Sequence, residues 1–264
     1  MTIARDNLKQ LLKNFRTLAV VVAAAAAVAP GAAAQGVAND GGAAMDRSAV
    51  ERIVRDYILK NPEIVMEAIQ ALRDRERMAE AENDRQALAS LADRIFRDPA
   101  SPVGGNPDGD VTVVEFFDYR CGVCKRVHPI VKELVAGDPK IRRVYKEWPI
   151  LGPNSVIASR AALASRRQGD DRYFAFHDAM MVAKSGLEEP AILQIAKSVG
   201  LDLARLQKDM RDPEIEAIIR RNYELAEALN LNGTPSFLIG DRIIRGGQDL
   251  ESMRKLVADA RKAK

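Results

Sequence analysis

Hydrophobic residues change their spacing near residue 120, and this change predicts a strand followed by a helix. The run Val111–Phe117 is rich in β-branched and aromatic residues, which is typical of a buried strand. After it, Val127, Val131 and Leu134 recur at three- and four-residue intervals, which is the spacing of an amphipathic helix. The chain is therefore expected to pass from a buried strand into a helix at about residue 121.

Helical spacing also dominates residues 153–230, between two further predicted strands at 142–148 and 236–239. Aliphatic residues recur there in helical stripes, which we interpret as core-facing rather than as a ligand site. The order of elements predicts an α/β fold in which a βαβ–ββα framework carries an inserted α-helical subdomain at about 153–230.

Residues 46–91 read as an almost wholly helical segment, interrupted at Asn61-Pro62. Each half carries an apolar face: Val50, Ile53, Val54, Tyr57 and Ile58 in the first, and Ile64, Val65, Ala68, Ile69 and Leu72 in the second. So short a hairpin buries little surface alone, so it packs either on the remainder of its own chain or on the same segment of another chain. We favour the second arrangement, a homo-oligomer, with dimer and trimer both open.

The first 34 residues have the pattern of a secretory signal peptide. A basic start is followed by an apolar stretch at 17–28 and a small-residue cleavage site after Ala34. An uncleaved anchor is the alternative, but this stretch falls short of the roughly 20 residues that span a bilayer. We expect cleavage, a linker at 35–45, and location in the periplasm, where disulfides persist.

Charge excludes nucleic acid as a partner. The formal net charge of +3 arises within residues 1–34, so the remainder of the 264-residue chain is neutral. No basic patch with interleaved aromatic residues is present either. With 47% hydrophobic residues, the chain has material for a sizeable core.

The two cysteines, Cys121 and Cys124, form a CxxC pair at the predicted strand-to-helix junction. A disulfide between them closes too short a loop to stabilise the fold much, so chemistry explains the spacing better. At a helix N-terminus, free N–H groups and the helix dipole lower the pKa of a thiol. We predict that Cys121 is the nucleophile and that Cys124 resolves the mixed disulfide.

Zinc or copper binding is the competing interpretation, because Cys121, Cys124, His128 and His177 are the only cysteines and histidines. Compact zinc sites pair their ligands around a small loop, whereas His177 lies about fifty residues further along. We therefore predict no metal site and no cofactor, and we interpret His128 as a helix-surface residue.

The segment Phe116–Lys125, with its CGVC core, resembles the active site of the DsbA-like thiol-disulfide oxidoreductases of the thioredoxin superfamily. Pro129, five residues after the second cysteine, and the segments 146–153 and 233–237 extend the resemblance. It covers residues 92–264 and implies a thioredoxin-like domain with the helical insertion.

The resemblance assigns further roles near the cysteines. It implies a cis peptide bond before Pro235, an exposed backbone at Thr234 that binds an extended substrate strand, and substrate contact by Gly122 and Val123. Read locally, the Pro235 segment is only a turn that enters a strand.

Glu115 occupies the position at which related proteins carry a buried acidic residue. Burial favours the protonated form of a carboxyl group, so Glu115 could exchange a proton with Cys124. Lys146, on the predicted neighbouring strand, is its expected charge partner. The alternative is an exposed glutamate at a strand end.

The helices at 46–91 resemble the oligomerisation segment of DsbA-like proteins of the suppressor-of-copper-sensitivity (ScsC) type. This implies a disulfide isomerase or reductase that acts on exported cysteine-containing proteins and exchanges electrons with a membrane thiol-disulfide partner. Two alternatives stay open: a dedicated dithiol oxidase, and a copper-binding or chaperone protein that uses the same thiols or cleft.

Overall fold

The computed structural model describes residues 46–184 and 186–263. The predicted signal peptide at 1–34 and the linker at 35–45 lie outside the described residues. Within the described part of the chain, no helix combines the length and the apolar character needed to cross a membrane.

A five-stranded mixed sheet forms the centre of residues 103–263, with strand order β1-β3-β2-β4-β5. The strands are β1 (Val103–Gly105), β2 (Val111–Phe117), β3 (Ile141–Glu147), β4 (Ser236–Ile239) and β5 (Arg242–Arg245). β2 and β3 are parallel, whereas the β2–β4, β4–β5 and β1–β3 pairs are antiparallel. This topology confirms the predicted βαβ–ββα framework.

The helices fall into three groups along the chain. Those before the sheet are α1 (Arg47–Lys60), α2 (Glu63–Ser90) and α3 (Ala92–Phe96); those of the framework are α4 (Gly122–Gly137) and α10 (Leu250–Lys262). The inserted group comprises α5 (Pro153–Ser165), a 3-10 turn (Arg166–Gln168), α6 (Asp170–Val182), α7 (Glu189–Ser198), α8 (Leu203–Asp209) and α9 (Pro213–Ala228). The helical insertion is thus confirmed between β3 and β4.

Both faces of β2 are buried, which explains why its sequence is apolar throughout. Val114 and Phe116 pack with α3, α9 and Trp148 in one cluster. The alternate residue Phe117 packs with the insertion in another cluster. Because each fully buried side chain contributes about 1.5–3 kcal/mol, these two layers hold the end of β2 firmly where the cysteines follow.

Helix α1 belongs to a separate unit that ends at Asn61, and it buries none of its own residues. Its apolar residues Ile53, Val54 and Tyr57 are each at least 50% exposed. The first part of α2 likewise exposes Met66 and Leu72. Each helix therefore presents apolar surface that the described residues of its own unit leave uncovered.

The last turns of α2 pack on the edge of the sheet. Leu88 is buried in the same cluster as Phe116. Arg245 of β5 donates two hydrogen bonds of 3.1 Å to the carboxylate of Asp84, and Arg85 contacts Asp241 at 2.9 Å. These contacts cover the outer side of β5, an edge strand that would otherwise be open to pairing.

Candidate active site

The loop between β2 and α4 is fixed by Asp118, which is fully buried. Its Oδ1 accepts a hydrogen bond from the backbone N–H of Arg120 at 2.7 Å, and its Oδ2 accepts one from Leu151 at 2.9 Å. Its carbonyl oxygen accepts from the backbone N–H of Cys121 at 3.0 Å. Asp118 therefore places Cys121 as the N-cap residue of α4, where the sequence predicts the helix to begin.

Cys121 has the surroundings of an easily ionised thiol. Its Sγ accepts a hydrogen bond from the backbone N–H of Cys124 at 3.3 Å and lies 3.2 Å from the carbonyl oxygen of Thr234. The hydrogen bond from the Cys124 side chain, helped by the Thr234 side chain and by backbone N–H groups, lowers the pKa of Cys121 to about 5, although burial opposes this. Cys121 is therefore a thiolate at neutral pH.

Cys124 lies one turn further along α4 and is completely buried. Burial, and then the hydrogen bond to Cys121, raise the pKa of Cys124 far above the usual value. Both cysteines are free thiols in this structure. The pair thus consists of one thiol that ionises readily and one that burial keeps protonated.

The pKa of Cys121 makes a direct prediction about alkylation of the reduced protein. The rate of reaction with iodoacetamide should stay high from pH 8 down to about pH 6 and fall with a midpoint near pH 5, because only the thiolate reacts. The measurement is the pseudo-first-order rate across pH 3 to 9 in the unmodified reduced protein, with the alkylated cysteine identified by peptide mass spectrometry. A midpoint near 8.5, the value of an unperturbed cysteine, would contradict this assignment.

The Thr234–Pro235 peptide bond is cis, as the resemblance implies, and β4 begins directly after it. The Thr234 carbonyl faces the Cys121 sulfur. Gly122 is exposed, while Val123 is half-buried against two core clusters. The structure therefore brings Thr234 beside Cys121 and leaves Gly122 open to solvent.

Glu115 is buried, with 1% of its surface exposed, so the alternative of an exposed glutamate is wrong. Its charge partner is Arg143, whose Nη2 donates to Oε2 at 2.6 Å. The carboxylate lies close enough to Cys124 for its charge to contribute to the raised pKa of that thiol. Glu115 is therefore a buried carboxylate whose charge acts on the Cys124 thiol.

The predicted pairing of Lys146 with Glu115 is wrong. Lys146 donates instead to the carbonyl of Arg94 at 2.8 Å and to Oδ2 of Asp98 at 3.0 Å. Glu115 stands opposite Tyr145 in the parallel pair of strands, and successive residues of a strand point to opposite faces. Lys146 thus lies on the far face of the sheet, whereas Arg143 shares the face of Glu115.

This buried pair predicts a large loss of stability when one partner is removed. Arg143→Met leaves the Glu115 carboxylate uncompensated and should lower the free energy of unfolding by about 3–5 kcal/mol. Urea unfolding of the reduced protein measures it. The matched control is Arg142→Met, since the half-buried Arg142 side chain has one hydrogen bond among the described residues, to the Phe96 carbonyl at 2.9 Å, and no carboxylate partner. If both variants lost the same free energy of unfolding, the Glu115–Arg143 pair would contribute no more to stability than Arg142 does.

The sequence-based analysis missed a further buried carboxyl group, Glu147, at the end of β3. Burial raises the pKa of Glu147 to about 7, although the hydroxyl of Tyr173 donates to it at 2.5 Å. Arg143, Tyr145 and Glu147 are two residues apart in β3, so they lie on one face of the sheet. This spacing could have predicted that Glu147 shares the face of Arg143.

His128 is buried, with 2% exposure, so its interpretation as a helix-surface residue is wrong. It packs against His177 of α6, with ring centroids 5.3 Å apart. Helix α6 of the insertion packs on this side of α4. Because α6 lies about fifty residues further along the chain, the residue pattern of α4 alone could not predict that His128 is buried.

A cleft of about 1020 Å³ opens between α4 and α6, beside the loop that precedes Cys121. Its lining includes Tyr119, Arg120, Lys125, His128, Asp178 and Met181. The Lys125 ammonium group donates to the carbonyl oxygens of Met180 and Ala183, both at 2.8 Å, and so joins the active-site helix to the end of α6.

Residues 97–259 match the family model described as thioredoxin, and residues 46–79 match the model described as copper resistance protein ScsC N-terminal domain. The first match spans more than half of the chain and includes both cysteines. The second covers α1 and the first part of α2.

Several solved structures are similar to this chain. A thioredoxin-like oxidoreductase from Silicibacter pomeroyi DSS-3 is 49% identical, covering 65% of this chain and 98% of that chain, with a TM-score of 0.63. The thiol-disulfide exchange protein alpha-DsbA2 from Wolbachia pipientis is 33% identical, covering 69% and 97%, with a TM-score of 0.65. Proteus mirabilis ScsC in a transitional conformation is 31% identical, covering 82% and 97%, with a TM-score of 0.63.

Among curated relatives, the Na(+)/H(+) antiporter NhaA 3 of Salinispora tropica is 28% identical over 160 residues. The match takes in 60% of this chain but only 24% of the antiporter. The chain thus spans about a quarter of that relative.

Proposed function

Because the chain belongs to the thioredoxin family, as a DsbA-like member of the ScsC type, we propose that it exchanges disulfides with exported proteins through Cys121 and Cys124. The observation that carries this proposal is the opposite behaviour of the two thiols. Cys121 has a pKa of about 5 beside the cis Thr234–Pro235 bond, while Cys124 is buried with a raised pKa.

The first step is attack by the Cys121 thiolate on one sulfur of a substrate disulfide. The substrate S–S bond breaks, a Cys121–substrate disulfide forms, and the other substrate sulfur leaves as a thiolate. In isomerisation, that freed thiolate attacks a different substrate disulfide, and a substrate thiolate finally displaces Cys121, so the protein ends as reduced as it began.

In net reduction, Cys124 attacks the Cys121 sulfur of the mixed disulfide. The Cys124 thiol loses its proton, the Cys121–substrate bond breaks, and a Cys121–Cys124 disulfide forms while the substrate leaves as a thiol. Two electrons have passed to the substrate, and a membrane thiol-disulfide partner would restore them. Glu115 is the proposed acceptor of the Cys124 proton, because it is a buried carboxylate whose charge acts on that thiol.

The substrate strand is proposed to lie along Thr234, with Gly122 and Val123 contacting the residues around its cysteine. The Thr234 carbonyl faces the Cys121 thiol, and once Cys121 has ionised this oxygen can accept a hydrogen bond from a substrate N–H instead. Gly122 adds no side chain beyond its exposed backbone, so a polypeptide can approach Cys121 closely.

The proton-transfer role of Glu115 predicts that Glu115→Gln slows insulin reduction by about tenfold or more, because proton transfer by a positioned group contributes substantially to the rate. The glutamine oxygen can still accept from Arg143, but the buried Arg143 charge loses its counter-charge, so urea unfolding must first show that the variant is folded under the assay conditions. Glu147→Gln is the matched control, a buried carboxyl group that pairs with Tyr173. Equal rates for Glu115→Gln and the unmodified protein would reject the role.

We propose isomerase or reductase activity rather than dedicated oxidation, on the strength of the N-terminal helices. Exposed apolar faces on α1 and on the first part of α2 are suited to association with other copies of this chain. Several CxxC sites in one assembly could hold a misfolded substrate while its disulfides are rearranged. The signal-peptide pattern places this activity in the periplasm.

Two assays test the proposal together. The reduced protein should reactivate scrambled ribonuclease and should catalyse insulin reduction by dithiothreitol. Efficient oxidation of reduced ribonuclease without reactivation of the scrambled form would indicate a dedicated oxidase. Stoichiometric Cu(I) binding by Cys121 and Cys124 without insulin reduction would indicate a copper-binding protein and overturn the proposal.

A further inference from the structure

The two histidines of the chain meet at the interface of α4 and α6, although 49 positions separate them. His128 and His177 are buried, and Asp178 follows His177 in α6. One potential ligand atom from each of these three residues lies within 4.8 Å of the other two. Two imidazoles and a carboxylate thus converge at one point.

Two imidazole nitrogens in this cluster lack a polar partner among the described residues. They are Nδ1 of His128 and Nε2 of His177, and both are buried. Buried polar atoms in native proteins are nearly always paired with protein, water or an ion. Unpaired nitrogens that converge with a carboxylate therefore point to a bound species that supplies the missing contacts.

The spacing suits a small metal ion. His128 Nε2 lies 3.2 Å from Asp178 Oδ1. Two ligand atoms that each lie about 2.0–2.1 Å from a tetrahedral metal ion are about 3.3–3.4 Å apart, so the observed distance is close to that value. The hydroxyl of Tyr119 lies 3.0 Å from Nδ1 of His177. A hydrogen bond at Nδ1 holds the orientation of the His177 ring and leaves its other nitrogen, Nε2, free to coordinate a metal ion.

Positive charges near the cluster are already engaged. Lys132 contacts Oδ2 of Asp178 at 2.5 Å, which leaves Oδ1 toward His128. Lys125 is held by carbonyl oxygens of α6 and of the residue that follows it. Because His128 and Asp178 line the cleft, an ion could enter from solvent and keep one coordination position open toward it.

We propose that His128, His177 and Asp178 bind a divalent transition-metal ion of the zinc or copper(II) class. This donor set of two imidazoles and a carboxylate is one that such ions accept. The ion would join α4, which carries Cys124, to α6 of the helical insertion. The site is independent of the thiols and of the proposed disulfide exchange.

The test uses tag-free, full-length protein with Cys121→Ser and Cys124→Ser, so that neither thiol can bind or reduce copper. One equivalent of Cu²⁺ should give an electron paramagnetic resonance spectrum with hyperfine coupling to two imidazole nitrogens. The assignment is direct, because the chain has only these two histidines. Zn²⁺ should compete for the site and raise the melting temperature.

The variants His177→Gln and Asp178→Asn should each weaken Cu²⁺ binding at least tenfold. Asp178 is half-exposed, so its variant tests the site even if the buried His177→Gln fails to fold. Asp171→Asn, an exposed position on the same helix, is the matched control and should bind normally. Copper spectra without imidazole coupling, or Asp178→Asn binding as tightly as the control, would overturn the proposal.

Discussion

Replacement of Cys121 by serine is expected to reduce the rate of disulfide exchange by at least about a thousandfold, since loss of a nucleophile removes the reaction path itself. The serine hydroxyl is not ionised at neutral pH, whereas the Cys121 thiol, with a pKa of about 5, is almost fully ionised. Insulin reduction by dithiothreitol measures the loss. Circular dichroism checks that the variant is folded.

Cys124→Ser is the matched variant, and it should behave differently. It keeps the nucleophile but removes the thiol that releases the substrate, so mixed disulfides between Cys121 and substrate should accumulate. Mass spectrometry of the trapped species should locate every link on Cys121. Links through Cys124 in the Cys121→Ser protein at a comparable yield would contradict the assignment of roles.

The second large effect concerns the apolar face of α1. Ile53 is 58% exposed within its own unit, and a glutamate there would be buried without a partner in any association through this face. Ile53→Glu should therefore convert the protein to monomers in sedimentation velocity experiments. Reactivation of scrambled ribonuclease should fall to a small fraction of the unmodified rate, while insulin reduction continues.

Arg55→Glu is the control for this experiment, because it also introduces a carboxylate at an exposed position of α1. It should leave both the assembly and the reactivation rate nearly unchanged. An Ile53→Glu protein that remains oligomeric would contradict association through this face of α1. A monomer that reactivates ribonuclease at the full rate would show that isomerase activity does not require the oligomer.

Local patterns were enough to predict the centre of the fold. The apolar run of β2 and the helical spacing after it placed Cys121 at the start of α4, because strand and helix periodicities differ and both faces of β2 are buried. The cis bond before Pro235 came from family resemblance alone, since most X-Pro bonds are trans whatever their neighbours.

The charged residues of β3 were harder to assign, because they depend on register. Arg143 and Lys146 both lie in β3, but they point to opposite faces of the sheet. A sequence that is charged on both faces does not reveal which cation meets Glu115. The parallel alignment with β2 decides it, and that alignment is a property of the assembled sheet.

The histidine cluster depended on tertiary structure in the same way. His128 and His177 belong to different helices, and the packing of the insertion on α4 brings them together. The spacing rules for compact metal sites apply to ligands that are close in sequence, so they do not predict a site formed by His128 and His177.

The redox state of Cys121 in intact cells tests the central claim most directly. Cells are quenched in acid, free thiols are alkylated with a reagent that adds mass, and the protein is detected by its mobility. An isomerase or reductase needs a reduced nucleophile, so most of the protein should carry two alkylated cysteines. A protein that rests in the oxidised Cys121–Cys124 form would contradict the claim and indicate a dedicated oxidase.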